Sequence, residues 1–599
     1  MGVWKRLDNR SWIIVALALM TMIALGNCSF DYVRNKVGLQ SQIILGFPGK
    51  PKTFNPALAQ DAFDIFSFMY EGLIRENGQG EIEPALAKSW QISADRKRIT
   101  FTLREGLKWS DGEPLTGDDV VFTYKDIYLN EAIPTVAKDL LSIGKHHVLP
   151  TVRKLNALQV EFSTTELFAP LLRTTKLPIL PSHVLKQVVN ITNQDGNSQL
   201  LHSWGLDTPP SQIIVNGPYK LESYIPAERL TFRKNPYYWR KDKQGNNLPY
   251  SDRIVWEIIS NTDTALIQFR SGSLDYINVL TSYFSLLKRE EKQGKFTIYN
   301  GGVSPFNTFI TFNLNQGSRN SKPIVDPIKS RWFNTLEFRQ AIAHGIDRQR
   351  MLNNTFMGLG ELTHSSFAVQ SPYYLAPEDG LKVYEYNPQI AKALLLKAGF
   401  IYNSQGQLFD AQGHAVRFTL SINAGNKIRE PMAVQIKNDL VKLGIQVDLQ
   451  PLGVNLLLDK LFNTWDWEAI VFGINSGIEP NNEANVWLPQ GSSHYFNQMP
   501  QPGQPLVTGQ EIAQWEQKIG SLYVQAAAEF DEAKRKLLYT EAQQLMQVYL
   551  PLIYLVNPLA MIAVRNHIQG IQFSAIQDPL WNIYELKRIE TAAHATKAY

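Results

Sequence analysis

The chain has almost no cysteine. Cys28 is the one cysteine among 599 residues, so an intramolecular disulfide bond is excluded. The ten histidines do not fall into a His-Glu-x-x-His or Cys/His metal-binding pattern. A Gly-x-Ser-x-Gly nucleophile motif and a Gly-x-x-x-x-Gly-Lys-Ser/Thr phosphate loop are also missing. These absences predict a protein without metal or cofactor that is not an enzyme, although a catalytic triad of distant residues leaves no sequence motif.

The chain also lacks a strong net charge. Its 59 lysines and arginines and 55 aspartates and glutamates give a formal charge of +4. Because basic residues do not cluster, this balance argues against nucleic-acid binding. A length of 599 residues predicts two or more domains. Aromatic residues make up 11% of the chain, enough to build cores and to line a ligand cleft.

Long apolar runs are confined to the N-terminus. Three basic residues, Lys5, Arg6 and Arg10, precede an uncharged apolar stretch over residues 12–25. This order is typical of an export signal. The stretch is shorter than the roughly 20 residues that a membrane span needs. An uncleaved membrane anchor remains the alternative, because the uncharged region extends over residues 11–30.

The segment FTLREGLKWSDGEPLTGDDVVFTYK, residues 101–125, shows how helices and strands are encoded. Ile99, Phe101 and Leu103 alternate with polar residues, which predicts a strand. Thr116 precedes Asp119 by three residues, a spacing that predicts a capping box at the start of a helix. Every residue choice in this unit has a structural reason, so the segment is interpreted as scaffold.

Later segments repeat this order of helix and strand. Asn387 and Pro388 predict a helix start, and Ile390, Leu394 and Ala398 are expected to line one face of the helix. A second helix and strand are predicted from the spacing of apolar residues at Ala433, Ile436, Leu440 and Leu443, followed by Ile445, Val447 and Leu449. Repetition of this unit predicts α/β lobes in which helices cover sheets.

Several motifs in a fixed order resemble family 5 of the bacterial extracellular solute-binding proteins, which serve ABC importers of dipeptides, oligopeptides and nickel. The resemblance spans nearly the whole chain after the N-terminal segment. The motifs are YEGL at 70–73, ALAKSWQISADRKRITFTLREGLKWSDGEPLTGDDVVFTYK at 85–125, LPSHVL at 180–185, NGPYKLESYIPAERLTFRKNPYYW at 216–239, FRQAIAHGIDRQRM at 338–351 and YEYNPQIAKALLLKAGF at 384–400.

The resemblance implies an α/β fold of the periplasmic-binding-protein-like type II. Two lobes would be joined by a hinge, and a small extra domain would be inserted in the first lobe, as in the cluster C type. The expected boundaries are a signal peptide at 1–27, the first lobe at 40–60, 201–303 and 555–590, the inserted domain at 61–200, and the second lobe at 304–554.

The position of the single cysteine, Cys28, is explained by a second resemblance. The segment LGNC at residues 25–28 resembles the lipobox of bacterial lipoproteins, although Asn27 replaces the usual Gly or Ala. In such proteins the cysteine carries a diacylglycerol, and two or three acyl chains hold a protein firmly on a membrane. We therefore expect a lipid-anchored protein of the cell envelope, facing the periplasm or the exterior.

The function implied by the resemblance is capture of an extracytoplasmic solute and its delivery to an ABC permease. Peptide is the first choice of ligand, and a monomer is expected. The same scaffold carrying a nickel chelate, haem, an oligosaccharide or an opine-like molecule is the alternative. A membrane-tethered enzyme or sensor that shares the fold is a further one.

The expected ligand contacts lie in a loop that follows a predicted strand at residues 467–472, because open α/β sheets bind ligands at strand ends. In peptide-binding relatives an acidic residue of this loop receives the peptide ammonium group. This loop has no aspartate, so Glu479 and Glu483 are the candidates, with Asn475 and Trp487 beside them.

The resemblance also points to an early loop of the chain. Phe54 and Asn55 lie in a segment that faces the cleft in relatives and are therefore added to the candidate ligand contacts. For each of these residues, a structural role in the core or on the surface is the alternative.

Overall fold

A computed structural model describes residues 41–59, 65–135, 137–144, 147–191, 198–501 and 504–589. The predicted signal peptide and Cys28 lie outside the described residues. The strands are β1 Gln42–Pro48, β2 Ile74–Glu76, β3 Ile82–Pro84, β4 Ala87–Ile92, β5 Arg98–Leu103, β6 Thr151–Asn156, β7 Gln159–Ser163, β8 Tyr219–Ile225, β9 Arg229–Lys234, β10 Arg253–Ile259, β11 Tyr276–Asn278, β12 Phe296–Val303, β13 Phe306–Phe312, β14 Ser318–Arg319, β15 Lys322–Pro323, β16 Gly360–Leu362, β17 Ile401–Tyr402, β18 Leu408–Phe409, β19 Arg417–Asn423, β20 Gln446–Leu452, β21 Ala469–Asn475, β22 Leu552–Tyr554, β23 Val556–Arg565, β24 Ile568–Gln569 and β25 Lys587–Arg588.

Helices alternate with these strands in both halves of the chain. The α-helices are α1 Ile65–Met69, α2 Gly117–Val121, α3 Ala137–Leu141, α4 Leu171–Thr174, α5 Ser182–Asn190, α6 Thr262–Arg270, α7 Thr281–Glu290, α8 Pro327–Asn334, α9 Leu336–Gly345, α10 Arg348–Thr355, α11 Pro388–Lys397, α12 Arg429–Val441, α13 Val454–Asp459, α14 Ala484–Trp487, α15 Gln514–Ala528 and α16 Glu532–Tyr549. Short 3₁₀ and π-helical segments lie at Phe122–Tyr128, Gln199–His202, Pro210–Gln212, Pro377–Asp379, Lys460–Thr464, Pro480–Glu483, Tyr495–Asn497 and Ile583–Glu585.

An eight-stranded sheet forms the first lobe. Its order is β12-β23-β11-β1-β10-β9-β8, and β16 pairs with β23. The central strands β1 and β10 run parallel, from the pair Gln42 and Arg253 to the pair Pro48 and Ile259. Parallel neighbours need a long connection between them, and the inserted segment lies within that connection.

The inserted segment carries a four-stranded antiparallel sheet in the order β4-β5-β7-β6. In β5, Ile99, Phe101 and Leu103 are buried and alternate with more exposed residues, as predicted. Thr116 caps α2 and forms the predicted capping box with Asp119. The apolar core of this segment is continuous with that of the first lobe, so the two pack as one body.

The second lobe is built on a five-stranded sheet in the order β20-β19-β21-β13-β22. Strand β19 is parallel to both β20 and β21, and β13 is antiparallel to β21. This lobe has its own core. The two-lobe α/β architecture expected from the sequence is therefore confirmed.

Two short passages join consecutive strands of the two large sheets directly. The first passage, at residues 304–305, joins β12 to β13, and the second, at Leu555, joins β22 to β23. Side-chain amides tie the passages together. Asn557 Nδ2 donates to Asn307 Oδ1 at 2.5 Å and to the carbonyl of Ser304 at 3.1 Å. Two short neighbouring passages of this kind form a hinge.

The local predictions for α11 and α12 have different outcomes. Asn387 caps α11 with Pro388 in the first turn, as predicted. The predicted face of α11 is confirmed in part: Leu394 and Ala398 pack against the core, whereas Ile390 is 43% exposed and Ala391 and Leu395 are the fully buried residues. In α12 the predicted core residues are buried, namely Ala433, Ile436 and Leu440, with Leu443 just beyond the helix.

The described helices were also compared with the length and hydropathy of a membrane span. Within the described ranges, no helix is long and apolar enough to cross a bilayer.

Candidate functional site: the cleft between the lobes

The carboxyl ends of parallel strands in the two lobes face one another. In the second lobe β19 and β21 end at Asn423 and Asn475. In the first lobe β10 ends shortly before α6. Lys427, between β19 and α12, forms an ion pair with Asp263 of α6. The edges at which open α/β sheets bind ligands are therefore opposed across a cleft.

A second contact closes the far side of this cleft. The backbone amide of Ala169, in the inserted segment, donates to the carbonyl of Ala527 in α15 at 2.7 Å. A cavity of about 450 Å³ lies beside this contact, between the inserted segment and the second lobe. Its volume is within the range of small-molecule sites.

The walls of this inter-lobe cavity combine apolar surface with uncharged polar side chains. The inserted segment contributes Asp139, and the second lobe contributes the amides Asn481, Asn485 and Gln501. Phe168 adds an apolar surface from the inserted segment. Amide groups both donate and accept hydrogen bonds, so they suit a polar solute and bridging water.

Arg429 places a positive charge at the carboxyl edge of the second lobe. Its guanidinium lies 5.7 Å from the ring centroid of Phe306 and 5.3 Å from that of Phe472, and Nη1 donates to Asn423 Oδ1 at 3.0 Å. Burial lowers the pKa of Arg429 from its usual value. Within the described part of the chain it forms no ion pair with a carboxylate, so its charge is available to a ligand.

Gly473 makes room for this arrangement. A Cβ atom at this position would lie 2.4 Å from Cε1 of Phe306 and 3.0 Å from Nη2 of Arg429, closer than real Cβ contacts. The sequence interpretation missed Arg429. Its one local signal is an arginine at the first turn of a helix that follows a strand.

Glu479 already has a cationic partner within the protein. Arg535 Nη2 donates to Glu479 Oε1 at 2.6 Å, and Arg535 Nη1 donates to Oε2 at 2.9 Å. Oε1 also accepts from the backbone amide of Asn481 at 3.0 Å. With both oxygens engaged and 5% of its surface exposed, Glu479 has the environment of a structural carboxylate.

Glu483 lies in a very different environment. It is buried, and its Oε2 makes no hydrogen bond to the described residues. Burial raises the pKa of Glu483 to about 8, while the hydroxyls of Ser476 and Ser366 and the indole of Trp487 face the carboxyl group and offset part of the rise. A raised pKa of this kind occurs where a buried carboxyl group lacks a cation.

Three neighbours of Glu483 also have unused polar atoms. Among the described residues, Nε1 of Trp487 and the hydroxyls of Tyr523 and Tyr554 have no hydrogen-bond partner. Tyr523 also lines the inter-lobe cavity, so this polar group lies directly behind the cavity wall. Unpaired buried polar atoms are costly, so a solute or ordered water that reached these atoms would be stabilised there.

The remaining predicted contacts are divided between the cleft and the core. Asn475 is the exposed last residue of β21 and pairs with Phe306. Trp487 is 1% exposed and stacks on Tyr523 at 6.4 Å between ring centroids. Phe54 and Asn55 are fully buried in the first lobe.

The contacts of Phe54 and Asn55 are made within the protein. Phe54 packs edge-on against Tyr224 at 5.5 Å. Asn55 Nδ2 lies 3.4 Å from each of two carbonyl oxygens, those of Leu200 and Ser203, to which it donates. These contacts anchor the early loop to the end of the inserted segment and to the part of the first lobe that follows it.

The described residues were also searched for metal ligands. In that part of the chain, no group of three or more His, Cys, Asp or Glu side chains is arranged to hold a metal ion.

Comparison with known proteins gives a consistent set of relatives. The chain is 29% identical over 541 residues to a probable ABC transporter-binding protein of Deinococcus radiodurans, covering 87% of each chain. It is 25% identical over 484 residues to the oligopeptide-binding protein AppA of Bacillus subtilis, covering 78% of this chain and 80% of AppA.

Solved structures show the same fold. AppA of Bacillus subtilis, in complex with a nonapeptide, matches with a TM-score of 0.73 at 23% identity, covering 92% of this chain and all of AppA. MelB of Agrobacterium fabrum, in complex with stachyose, matches with a TM-score of 0.75 at 20% identity, covering 93% and 86%. The family model "Bacterial extracellular solute-binding proteins, family 5 Middle" matches residues 81–497. The chain therefore belongs to family 5 of the bacterial extracellular solute-binding proteins.

Proposed function

We propose that this protein is the lipid-anchored substrate-binding component of an ABC importer, which captures a peptide between its lobes and delivers it to the permease. The observation that carries this proposal is the uncompensated guanidinium of Arg429 at a sheet edge facing the other lobe. A peptide carboxylate is a suitable partner, because arginine binds carboxylates through paired, charge-assisted hydrogen bonds. The relatives, a probable ABC transporter-binding protein and an oligopeptide-binding protein, support the same assignment.

The opposite end of the peptide carries an ammonium group. Of the two candidate carboxylates we assign Glu483 to this group, because Glu479 is neutralised by Arg535 while Glu483 Oε2 lacks a partner among the described residues. An ammonium group would stabilise the ionised form of Glu483 and lower its pKa. Asn475, the exposed last residue of β21, would contribute a polar contact, while the buried Trp487 would support the Glu483 carboxyl group from within the core.

The protein would capture the peptide by closing its two lobes about the hinge. The passages at residues 304–305 and Leu555 let the lobes move about two short segments. A peptide that touches both lobes binds the closed form more tightly and shifts the population toward it. Cys28, if lipidated, would hold the protein at the membrane beside the permease, and we expect it to act as a monomer.

Native mass spectrometry of the purified protein tests the proposal. We expect a ladder of short peptides to be released on denaturation, and isothermal titration calorimetry to show saturable binding of synthetic peptides. A released sugar or metal complex, with no peptide binding, would contradict the peptide assignment but not solute capture. Hydrolysis of an added peptide would support the alternative of an enzyme on this scaffold.

Oligosaccharide is the second candidate solute. The specific observation in its favour is the inter-lobe cavity, where amide side chains and the Phe168 ring line one space. Planar amides pair with vicinal hydroxyls, and aromatic rings stack on sugar faces. Titration with a trisaccharide and a tetrasaccharide, in parallel with the peptides, distinguishes the two ligands.

A further inference from the structure

The inter-lobe cavity has an uneven charge distribution. In the part of the chain that the structure describes, its second-lobe wall contributes neutral side chains, among them Asn485 and Gln501, with Leu488 and Met499. The inserted segment contributes Asp139 and His147. Lysine and arginine do not occur among the described lining residues. Among the described lining residues, Asp139 is therefore the one carboxylate, and the amide side chains supply further hydrogen-bond acceptors.

Asp139 is open to the cavity. The side chain keeps solvent-accessible surface, yet the surrounding protein desolvates it enough to raise the pKa of its carboxyl group above the usual value. His147 and Lys138 oppose this rise. In the described residues neither of them forms an ion pair with Asp139.

These two basic neighbours have other contacts. His147 Nδ1 lies 2.9 Å from the Ser142 hydroxyl, and Lys138 Nζ lies 4.0 Å from Glu131. A second carboxylate borders the same wall at Gly144, where a Cβ atom would lie 2.2 Å from Glu166 Oε2. Asp139 and Glu166 therefore both lie near this wall, and neither basic neighbour is ion-paired with Asp139 among the described residues.

The other lining residues suit a long side chain with a cationic end. Phe168, Leu488, Met499 and Val524 supply apolar surface, which packs well against a long aliphatic stem. Amide oxygens and the Asp139 carboxylate accept hydrogen bonds from a cationic head group. An acidic side chain would instead face the Asp139 carboxylate, with which neither His147 nor Lys138 forms an ion pair in the described residues.

We propose that Asp139 makes the inter-lobe cavity a pocket for a lysine or arginine side chain of the bound peptide. This inference rests on the proposed function and specifies which peptides the protein selects. Asp139 acts as a specificity residue here, distinct from the groups assigned to the peptide termini. Charged hydrogen bonds of this kind are worth about 1.5–3 kcal/mol, which corresponds to roughly tenfold to a hundredfold in affinity.

The test is a calorimetric titration of five-residue alanine peptides that carry one Lys, Gln or Glu at each position in turn. We expect the wild-type protein to bind a Lys peptide at least about tenfold more tightly than the Gln peptide of the same register. Asp139→Asn should abolish most of that preference while leaving the affinity for the Gln peptide within about twofold. Glu105→Gln is the matched control, because Glu105 is an exposed acid of the inserted segment with a surface partner, Lys88, and should leave the preference unchanged.

The outcomes separate the two proposals. Binding of the peptides without preference for Lys, or a preference that survives in Asp139→Asn, overturns the inference and leaves the proposed function standing. Failure of every peptide to bind overturns both. A charge-reversed variant, Asp139→Lys, should shift the preference toward the Glu peptide, and an unchanged order of affinities would also overturn the inference.

Discussion

Arg535 holds Glu479 with two parallel hydrogen bonds of 2.6 and 2.9 Å in the interior of the second lobe. Arg535 Nε also donates to the carbonyl of Ala526 at 2.9 Å, and Nη1 donates to the Tyr373 hydroxyl at 3.0 Å. The pair thus ties the segment after β21 to α15 and α16. This ion pair distinguishes Glu479, which has a structural role, from Glu483, which we assign to the ligand.

The first prediction concerns this ion pair. Glu479→Gln should lower the free energy of unfolding by about 3–5 kcal/mol, because it leaves a buried guanidinium without its counter-ion. Urea denaturation followed by circular dichroism measures the change. Glu290→Gln, which breaks the more exposed pair with Arg270, is the control and should cost less than about 1 kcal/mol. Equal effects of the two variants would contradict the structural role of Glu479.

The second prediction concerns the pH dependence of the free energy of unfolding. Glu483 has a pKa of about 8 in the fold and an ordinary value of 4.5 outside it. The folded form therefore binds the proton more tightly, and unfolding releases it between pH 4.5 and 8. The contribution of Glu483 to stability should fall by about 1.4 kcal/mol per pH unit across that window.

Glu483→Gln isolates the contribution of Glu483 to the pH dependence of stability, because the glutamine side chain cannot ionise. The variant and the wild type should have similar unfolding free energies at pH 5, and the variant should be the more stable of the two at pH 8. Denaturant unfolding at both pH values measures the difference. A constant difference between the two proteins would show that Glu483 does not have a raised pKa.

The third prediction links Glu483 to ligand binding. Below pH 8 the unliganded protein holds a proton on this side chain, and an ammonium group would displace it. The affinity for a peptide should therefore rise close to tenfold between pH 6 and pH 7. Calorimetry in buffers of different ionisation enthalpy should show the release of a proton. An N-acetylated peptide, which lacks the ammonium group, should bind more weakly and without this pH dependence.

The fourth prediction concerns Arg429. Arg429→Gln should weaken the binding of a peptide with a free carboxylate by about tenfold to a hundredfold, because charged hydrogen bonds are lost. Arg417→Gln is the matched control, since Arg417 opens the same strand, β19, at its opposite end and pairs with Asp448. Amidation of the peptide carboxylate should reproduce the loss in the wild type and add nothing in the Arg429 variant. Full additivity of the two changes would disprove the contact.

The fifth prediction concerns the ion pair that crosses the cleft. Lys427 and Asp263 are each about half exposed, so their pair is a weak surface interaction that solvent screens. Lys427→Ser should raise the peptide dissociation constant by less than about fivefold, and the effect should shrink in high salt. A loss of peptide affinity of more than tenfold would contradict this expectation. It would mean that the pair stabilises the closed form more than an ordinary surface ion pair does.

The sequence by itself was sufficient for features that depend on neighbouring residues. The alternation of Ile99, Phe101 and Leu103 predicts β5, and Thr116 and Asn387 predict two helix starts, all confirmed. Strand alternation and helix capping arise from local backbone geometry, so a short segment encodes them. The ordered motifs likewise indicated the family.

The buried face of α11 shows where local reasoning fails. The segment IAKALLLKA contains apolar residues at adjacent positions, so a helical period fits either Ile390 or Ala391 as the start of the buried face. Packing against the second lobe selected Ala391 and Leu395 and left Ile390 exposed. The helix was predictable, but its rotation depended on neighbours that are distant in the chain.

The environment of the candidate site residues also depended on parts of the chain that are distant in sequence. In the sequence Glu479 and Glu483 are two glutamates of one short segment, and only the fold places Arg535 beside the first and leaves Oε2 of the second without a partner among the described residues. The fold also brings Asp139 to the cavity that Asn485 lines from the other lobe. The sequence determined the local elements and the family because these depend on nearby residues. The tertiary structure determined the site because the partner, burial and charge of each side chain depend on residues that are far apart in the chain.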